Sequence, residues 1–303
     1  MEQATKNDDR DAARGRDYLR LMRVHQWPKN LLLFVPLIAS QNLLEAGEMS
    51  KATLAFLAFS LVASGNYAVN DLFDVDADRR HPSKRRRPIA SGRISPVGGL
   101  LTAALCLALG FALSAALPVG FAASLLGYLA LSLSYSLIWR RLLLIDVVAL
   151  GALFILRVVA GAQAIEVSVS FWLFAFSLFF FTSLALMKRC SELHNLEAAG
   201  QSGSHGRAYR VTDLPILRSL GVAAAVMSVL VVALYIDDPA TAELYARPDV
   251  LWLAGPLLLY WIGRVWIKTG RGEMSEDPLV YSVRDPASWG VALLAVIVVL
   301  AAG

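Results

Sequence analysis

The feature that most constrains this chain is a series of apolar runs, each long enough to cross a lipid bilayer. Hydrophobic residue types make up 57% of the 303 residues, whereas average soluble domains contain about 45–50%. A spanning helix needs about 20 predominantly apolar residues, and it satisfies its own backbone hydrogen bonds in lipid. We therefore expect an all-α integral membrane fold. The runs predict nine transmembrane helices, over 28–45, 52–70, 95–117, 119–138, 142–164, 169–187, 214–236, 249–268 and 286–302.

The basic residues predict the orientation of these helices. With nine crossings, 25 of the 28 Lys and Arg residues fall on one side, in 1–29, 79–93, 140–141, 188–218 and 264–284. Positively charged loops stay in the cytoplasm, so the N-terminus is predicted to lie inside and the C-terminus outside a cell (plasma) membrane. The net charge of +4 thus follows from topology and does not indicate nucleic-acid binding.

The polarity of the chain changes once along its length. Residues 1–16 are polar and mixed in charge, which predicts a disordered cytoplasmic tail and not a cleaved signal sequence. Residues 17–303 contain no repeat of fixed period and no low-complexity linker, so we expect one transmembrane domain there. Cys106 and Cys190 fall in or beside predicted spans and indicate no disulfide framework. Nothing in the pattern predicts an oligomeric state.

The most acidic stretch is NDLFDVDADRR, at 70–80, with four aspartates within eight positions. If the preceding helix continues into it, Asp71, Asp74 and Asp78 share a face about 60° wide, at about 100° per residue. Three carboxylates on one face repel each other unless a cation lies between them, and Mg²⁺ is held by such oxygens together with substrate phosphates. We predict a Mg²⁺ site there, with an amide contact from Asn70. The simpler alternative is a solvated acidic helix end that pairs with the basic loop beyond it.

That loop, HPSKRRRP, follows the aspartates at once. A carboxylate–metal site beside Lys and Arg side chains is what a diphosphate ester requires, because guanidinium forks hold the oxygens that the metal does not. We predict that four side chains of the loop bind substrate phosphates: His81, Lys84, Arg85 and Arg87. The alternative is an anchor to anionic lipid headgroups, which we favour for Arg86 and Arg93.

These motifs resemble the UbiA-type intramembrane prenyltransferase superfamily, in which NDxxDxxxD ends the second of nine spans. The extension DVDADRRHPSKRRRPIASG is similar to the branch that contains decaprenyl-phosphate phosphoribosyltransferase. Three further stretches agree with that branch: MRVHQWPKN at 22–30, KRCSELH at 188–194 and EDPLVYSVRD at 276–285. The resemblance covers almost the whole chain beyond residue 18. It implies nine helices around a central cavity open to the cytoplasmic side, with Mg²⁺ as cofactor.

One motif departs from the superfamily pattern. Ordinary members carry a second aspartate-rich motif near the end of the sixth span, where a second Mg²⁺ helps to bind prenyl diphosphate. Here Lys188, Arg189 and Glu192 stand at that place, as in the phosphoribosyltransferase branch, although Cys190 replaces its usual aromatic residue. The resemblance implies that these three side chains bind phosphates. A plain i,i+4 pair between Lys188 and Glu192 is the structural alternative.

Two further cations lie at predicted membrane depth. An unpaired arginine there costs at least about 2.5–3.5 kcal/mol, so Arg157 should face the protein interior and contact either a substrate phosphate or an acid such as Asp74. Lys29 lies where the chain enters the membrane. It is either a lysine whose head reaches back to the interface or, through the likeness of QWPKN, a phosphate ligand with Arg23 behind it.

The resemblance implies transfer of a 5-phosphoribosyl group from phosphoribosyl diphosphate (PRPP) to a polyprenyl phosphate such as decaprenyl phosphate, for cell-envelope polysaccharide synthesis. Diphosphate would be released, and Asp74 and Asp78 are the predicted catalytic residues because they hold the metal that neutralises it. The acceptor phosphate is already anionic, so no strong general base is required. The residues alone indicate only a Mg²⁺-dependent enzyme that acts on a phosphorylated lipid in the bilayer.

Two alternatives stay open. A prenyltransferase would move a polyprenyl group from its diphosphate to an aromatic or lipid acceptor, but it requires the second carboxylate motif. A transporter or flippase for an anionic lipid would use the charges as a binding vestibule. Both charged motifs fall on one side, however, and transporters bind substrate near the bilayer midplane. Substrate-dependent release of diphosphate separates the enzymes from the transporter.

Overall fold

Helices form nearly all of the regular structure in the computed structural model, which describes residues 15–40, 45–80, 84–203, 207–274 and 277–303. We number the long helices in chain order: α1 (Ala46–Phe73), α2 (Pro96–Ser114), α3 (Val119–Leu137), α4 (Ile145–Ala164), α5 (Phe171–Ala198), α6 (Leu214–Asp237), α7 (Ala254–Gly270) and α8 (Pro286–Ala302). Shorter helical segments join them: Val24–Phe34, Val35–Ala39, Val75–Arg80, Lys84–Arg86, Trp139–Arg141, Val211–Asp213, Pro239–Ala242, Pro248–Leu253 and Pro278–Arg284.

The all-α membrane fold is confirmed, whereas the count of nine spans is not reached in the described residues. Seven helices there are long and apolar enough to cross a membrane. The number rises to eight if Pro278–Arg284 and α8, which meet at an angle of 86°, form one broken span. The first predicted span, 28–45, is not one α-helix: a 3₁₀-helix ends at Phe34, the short helix Val35–Ala39 follows, and residues 41–44 lie outside the described ranges.

Two prolines account for this break. Pro28 lies inside the 3₁₀-helix, where an α-helix would lose a backbone hydrogen bond and meet a clash with the preceding turn. Pro36 stands at the start of the next short helix, the position at which proline suits a helix best. At the N-terminus, residues 1–14 of the predicted disordered tail lie outside the described ranges, but residues 15 and 16 begin a helix that extends to residue 21.

The contacts divide the chain into two compact units, and each is described by itself. Unit 1 comprises Met1–Ser136 and Leu156–Ser168, and unit 2 comprises Leu137–Ile155 and Val169–Gly303. Helix α4 therefore contributes its first half to unit 2 and its second half to unit 1. The prediction of a single domain over 17–303 stays a prediction.

In unit 1, α1 packs along α2 at a distance that requires glycine. A Cβ atom on Gly110 would lie 2.6 Å from Val62 Cγ2, and one on Gly65 would lie 2.8 Å from Leu107 Cγ. Small residues at such crossings let helix backbones approach closely, and this drives helix association in lipid. The close packing buries most of α1, including Phe59, and thereby sets its polar C-terminal end in place.

In unit 2, α5 packs against α6 and α7. A side chain at Gly221 would overlap the ring of Trp266, whose indole N–H donates a hydrogen bond to Ser183 Oγ at 3.1 Å. The polar C-terminal turns of α5 are also buried, through Met187 and Leu193. The acidic motif thus lies at the end of a well-packed helix in unit 1, and the basic motif lies at the end of a well-packed helix in unit 2.

Candidate functional site

The acidic motif keeps its helical register where α1 ends. Asp74 caps α1, and the short helix Val75–Arg80 follows it. Across the junction the Asp74 N–H donates to the Asn70 carbonyl at 3.0 Å, and the Asp78 N–H donates to the Asp74 carbonyl at 2.8 Å. Asp71, Asp74 and Asp78 consequently keep the spacing of successive turns on one face. Asn70 is half-buried at the same end.

Two of the three aspartates converge on a single cationic atom. Asp71 and Asp78 are only 3% and 2% exposed. Arg87 Nη1 lies 3.0 Å from Asp71 Oδ1 and 2.7 Å from Asp78 Oδ2. Asp74 is half-buried beside them. The geometry shows that the buried carboxylates require positive charge between them, and that the basic loop supplies it through Arg87.

A second arginine reaches the same carboxylate from the N-terminal segment. Arg23 Nη2 lies 2.5 Å from Asp71 Oδ1, and the guanidinium carbon stacks 4.7 Å from the centre of the Tyr67 ring. Arg23 has the left-handed backbone angle φ 50°, which costs an L-residue about 1–2 kcal/mol. Strain of this kind persists where the surroundings hold a residue in place, so Arg23 belongs to the site more firmly than its sequence context suggested.

The donor set fits a divalent cation. Mg²⁺ is commonly held by one or two carboxylates together with water and substrate phosphates, and the buried pair already encloses a positive charge. In the described ranges no group of three or more His, Cys, Asp or Glu side chains is arranged to hold a metal. Of the three predicted carboxylates the structure brings together Asp71 and Asp78, with Asp74 next to them in the helical register, and the Mg²⁺ site itself stays a prediction.

The observed contacts match part of the simpler interpretation. The acidic helix end does pair with the basic loop beyond it, as that alternative required, but the carboxylates are buried and not solvated. Within the loop, Lys84 is half-buried while Arg85 and Arg86 are exposed. His81 lies outside the described residues. The loop therefore directs Arg87 inward and its neighbours Arg85 and Arg86 outward.

The predicted cations of the membrane region lie together in unit 1. Arg157 Nε donates a hydrogen bond to Asn30 Oδ1 at 2.9 Å, and the Asn30 amide donates to Ser60 Oγ at 2.9 Å. The Arg157 guanidinium carbon lies 5.3 and 5.0 Å from the ring centres of Phe59 and Tyr128. As predicted from its depth, Arg157 faces the protein interior.

Lys29 is also buried, next to Asn30 in the 3₁₀-helix. The Arg157 contacts and the burial of Lys29 place two positive charges in the protein interior of unit 1.

The basic motif at the end of α5 has a different character. Arg189 is 1% exposed; its Nε lies 2.6 Å from Asp146 Oδ2, as an ion pair and not a well-directed hydrogen bond. Arg189 Nη1 also donates to Glu192 Oε2 at 2.5 Å. Arg207 Nη1 lies 3.4 Å from Glu192 Oε2 and 3.8 Å from Asp146 Oδ2. Two arginines and two acids therefore form an ion-pair network in which their formal charges cancel.

A tyrosine completes this network. The Tyr209 hydroxyl donates a hydrogen bond to Asp146 and accepts one from the Leu144 N–H at 2.9 Å. Burial, together with the nearby Asp146 carboxylate, raises the pKa of Tyr209, so its phenol stays protonated as a donor. Asp146 thus has cationic and phenolic partners, which identifies it as a structural anchor.

Of the two cations predicted for this motif, Lys188 is the accessible one, with a side chain 28% exposed against 1% for Arg189. Its Nζ lies 3.3 Å from Asp277 Oδ2, and its side chain is more exposed than that of Asp277. Lys188 contacts Asp277, and Glu192 contacts Arg189 and Arg207. Arg189 and Glu192, predicted to bind substrate, are both engaged in the ion-pair network, and their substrate role stays a prediction.

Residues 33–284 match the UbiA prenyltransferase family. The chain belongs to this family. The match covers most of the chain, including every described site residue except Lys29, Arg23 and Asn30. It confirms the superfamily resemblance on which the acidic and basic motifs were interpreted, and it identifies the chain as a multi-pass membrane transferase.

Curated relatives align with most of this chain. The chain is 39% identical over 280 residues to an uncharacterised protein, y4nM, of Sinorhizobium fredii; the match covers 92% of this chain and 54% of the relative, about half its length. It is 36% identical to the nodulation protein NoeC of Azorhizobium caulinodans, over 89% of this chain and 88% of NoeC. It is also 34% identical to decaprenyl-phosphate phosphoribosyltransferase of Corynebacterium glutamicum, over 69% of this chain and 65% of that enzyme.

Among solved structures, a UbiA homologue from Archaeoglobus fulgidus bound to GPP and Mg²⁺ has the same fold. The TM-score is 0.67 at 18% identity, with 94% of this chain and 99% of the homologue covered. At this identity the likeness concerns the fold alone.

Sequence reasoning missed Arg207, Tyr209 and Asp277 as partners of the α5 motif. Their partners are distant along the chain, and no local spacing connects them. Arg23 was recognised only as a residue behind Lys29, and its contact with Asp71 was not expected.

Proposed function

We propose that this UbiA-family chain transfers a 5-phosphoribosyl group from PRPP to a polyprenyl phosphate such as decaprenyl phosphate. In the reaction the C1–O bond to diphosphate breaks, the electron pair leaves with diphosphate, and a phosphate oxygen of the lipid forms the new bond to C1. The product would be a precursor of a cell-envelope polysaccharide. We place the reaction on the cytoplasmic face of a cell membrane because the basic loops predict that orientation.

The observation that carries this proposal is the ion pairing at the end of α5. Asp146 and Glu192 are both engaged with Arg189 and Arg207, and Asp277 is engaged with Lys188. A second Mg²⁺ at this end would have to displace these cations, of which Arg189 forms a fully buried pair with Asp146 that is costly to break. The arrangement disfavours a two-metal clamp for prenyl diphosphate and favours donors whose separate phosphates are held by cationic side chains. The identity to decaprenyl-phosphate phosphoribosyltransferase supports the same choice.

The carboxylate end of α1 would hold the single metal. Asp71 and Asp78 would bind Mg²⁺, with Asp74 alongside and Asn70 in reach of its water. When bound, the ion would neutralise the charge that develops on the leaving diphosphate. Arg87 would exchange the two carboxylates for phosphate oxygens of the donor, and Lys84 would contact phosphate oxygens beside it. Arg87 is suited to this exchange because guanidinium forks bind carboxylate and phosphate alike.

Other residues would bind the remaining phosphates and position the lipid. Lys188 is the accessible cation of the α5 motif, and Arg85 and His81 are the loop residues that we assign to the 5-phosphate. Arg157 and Lys29 are held inside unit 1 and would face the lipid phosphate. The lipid phosphate is anionic at neutral pH, so the nucleophile needs no general base. A water-poor site strengthens each of these charge contacts.

The test is a transfer assay with purified full-length protein in detergent. PRPP labelled in the ribose is incubated with decaprenyl phosphate and Mg²⁺, and label that enters the organic phase is counted. We expect transfer that EDTA abolishes and that requires the lipid phosphate. Absence of transfer, with activity on geranyl diphosphate and an aromatic acceptor instead, would contradict the proposal.

A prenyltransferase is the second candidate. One structural neighbour, the Archaeoglobus fulgidus homologue, was bound to GPP and Mg²⁺. The family is also named for prenyl transfer. The same assay with labelled geranyl diphosphate separates the two reactions, because we expect transfer of label to an acceptor from only one of the two donors.

A further inference from the structure

We propose that a cavity lined by arginines, separate from the paired carboxylates, binds the phosphate group of a phosphate ester. Arg20, Arg85, Arg86, Ser91 and Arg93 line this cavity, which has a volume of about 610 Å³. We name it the arginine cavity. It lies within unit 1. Arg85 is the lining residue that the proposed reaction also uses, and the inference rests on the other lining residues, which that reaction does not use.

The orientation of Arg93 is set before any ligand arrives. Its Nη1 lies 2.8 Å from Asp17 Oδ1, its Nη2 donates to the Arg86 carbonyl at 2.5 Å, and its Nε donates to Ser91 Oγ at 3.0 Å. A guanidinium that is already fixed loses less conformational entropy when it binds an anion. The hydrogen bond to the Arg86 carbonyl also fixes the Arg86 backbone, so two lining residues of the cavity are joined directly.

The turn at 88–94, which carries the lining residues Ser91 and Arg93, is rigid for reasons that the sequence explains. Gly92 adopts φ +76°, a left-handed angle that glycine accepts without steric cost. The turn is closed by the Ile94 N–H, which donates to the Pro88 carbonyl at 3.0 Å. Ile89 and Ile94 anchor the turn in a buried apolar cluster with Leu21. The arginines therefore project from a packed surface.

The charge of the cavity is unbalanced. Four arginines line it, and no acidic residue is among its lining residues in the described part of the chain. Asp17 contacts two of these arginines, at 2.8 Å from Arg93 and 3.4 Å from Arg20. Four positive charges so close repel each other unless an anion shares them. A phosphate ester, with two or more oxygens for bidentate contacts, fits this need best.

The cavity and the carboxylates use neighbouring residues of one short segment. Arg85 and Arg86 line the cavity, whereas Arg87, the next residue, contacts Asp71 and Asp78. The ligand is therefore not held by the carboxylate pair. A phosphate in the cavity would stabilise the segment that presents Arg87.

Two sources can supply such a phosphate: the headgroup of an anionic phospholipid, which basic clusters beside spanning helices attract, or a soluble sugar phosphate. The experiment distinguishes them with two probes. Full-length protein in neutral detergent is titrated with short-chain phosphatidylglycerol, against phosphatidylcholine as reference, and separately with ribose 5-phosphate without Mg²⁺. Bound probe is counted by native mass spectrometry, and affinity is measured by microscale thermophoresis.

The test variant is the double substitution Arg20→Gln and Arg86→Gln, because both side chains are exposed in the described structure. The matched control is Arg79→Gln with Arg80→Gln, which removes the same charge from exposed arginines outside the cavity. Size-exclusion profiles confirm that both variants fold.

We expect one of the two probes to bind, with the cavity variant weakened about tenfold and the control less than about threefold. The probe that binds identifies the source. Equal weakening in both doubles, or binding of neither probe, would overturn the proposal.

Discussion

Two polar helix ends, one in each unit, use the same ion-pair chemistry to different effect. At the end of α1, Asp71 and Asp78 are buried, but the arginines that pair with them, Arg23 and Arg87, have side chains 23% and 27% exposed. At the end of α5, Arg189 is 1% exposed and is paired with Asp146, which is fully buried. We therefore expect the arginines at the end of α1 to be exchangeable for other cations, whereas loss of the Arg189–Asp146 pair should destabilise the protein.

The energetics of ion pairs explain this contrast. Arg23 and Arg87 keep about a quarter of their side chains in contact with solvent, so another cation can replace one of them beside the buried carboxylates at a lower cost than inside the protein. Removal of one partner from a buried pair leaves an uncompensated charge and costs about 3–5 kcal/mol. We therefore assign ligand exchange to the carboxylates of α1 and architecture to the network around Asp146. Each prediction below tests one of these two assignments, from the largest expected effect to the smallest.

The largest effect should come from Arg189→Met in unit 2. The substitution strands the buried Asp146 carboxylate, and we expect the free energy of unfolding to fall by about 3–5 kcal/mol. Thermal unfolding in detergent measures the loss. The double variant Arg189→Met with Asp146→Leu should regain part of it, because no buried charge is then left unpaired. Arg207→Gln is the matched control, since its side chain is partly exposed, and wild-type stability for Arg189→Met would remove the contrast.

The next effect should come from Asp78→Asn in unit 1. We expect the transfer rate to fall about 100-fold or more, a loss of at least about 2.7 kcal/mol of transition-state stabilisation, with little change in unfolding temperature. Initial rates at several Mg²⁺ concentrations check this. Asp76→Asn is the control, because Asp76 lies in the same acidic stretch but is exposed. A rate loss of the same size for Asp76→Asn would show that bulk negative charge matters and not the buried pair.

Lys188→Gln should have a smaller effect, on substrate affinity. Lys188 is the accessible cation of α5, and its contact with Asp277 is 3.3 Å long. We expect KM for the phosphorylated donor to rise about tenfold, about 1.4 kcal/mol, with kcat little changed. Lys188→Arg should keep most of the affinity. Normal KM in Lys188→Gln would exclude this side chain from the site.

The smallest predicted effect concerns Arg87→Gln and the metal. Since Arg87 competes with a cation for Asp71 and Asp78, its removal should tighten Mn²⁺ binding by about threefold, as a partly exposed pair is worth about 1 kcal/mol or less. Electron paramagnetic resonance of free Mn²⁺ measures the change without turnover. Arg85→Gln is the control. Weaker Mn²⁺ binding in Arg87→Gln would mean that Arg87 supports the carboxylates instead of competing for them.

Much of unit 1 could be predicted because its signals are local. The helical period places Asp71, Asp74 and Asp78 on one face, and the depth of Arg157 requires it to face inward. The network of unit 2 could not be predicted in this way. Asp146 and Arg189 lie on different helices, and Arg207 and Tyr209 join them from a loop, so the burial of Arg189 depends on how those segments pack. The substrate role assigned to Arg189 and Glu192 remains a prediction that this burial disfavours.

The first predicted span shows a similar limit. Its apolar composition is correct for a membrane segment, but Pro28 and Pro36 divide it, and composition alone does not report backbone breaks. Hydropathy therefore predicted the class of fold well, whereas the number of continuous helices depended on proline chemistry.

The measurement that tests the central claim most directly is the number and affinity of Mn²⁺ ions bound per chain. We predict one tight Mn²⁺ in the wild type, lost in Asp71→Asn and in Asp78→Asn and retained in Lys188→Gln. Wild-type affinity in Asp78→Asn, or two ions of which one disappears in Glu192→Gln, would contradict the account. The second result would show that α5 also holds metal, as a prenyl-diphosphate clamp requires.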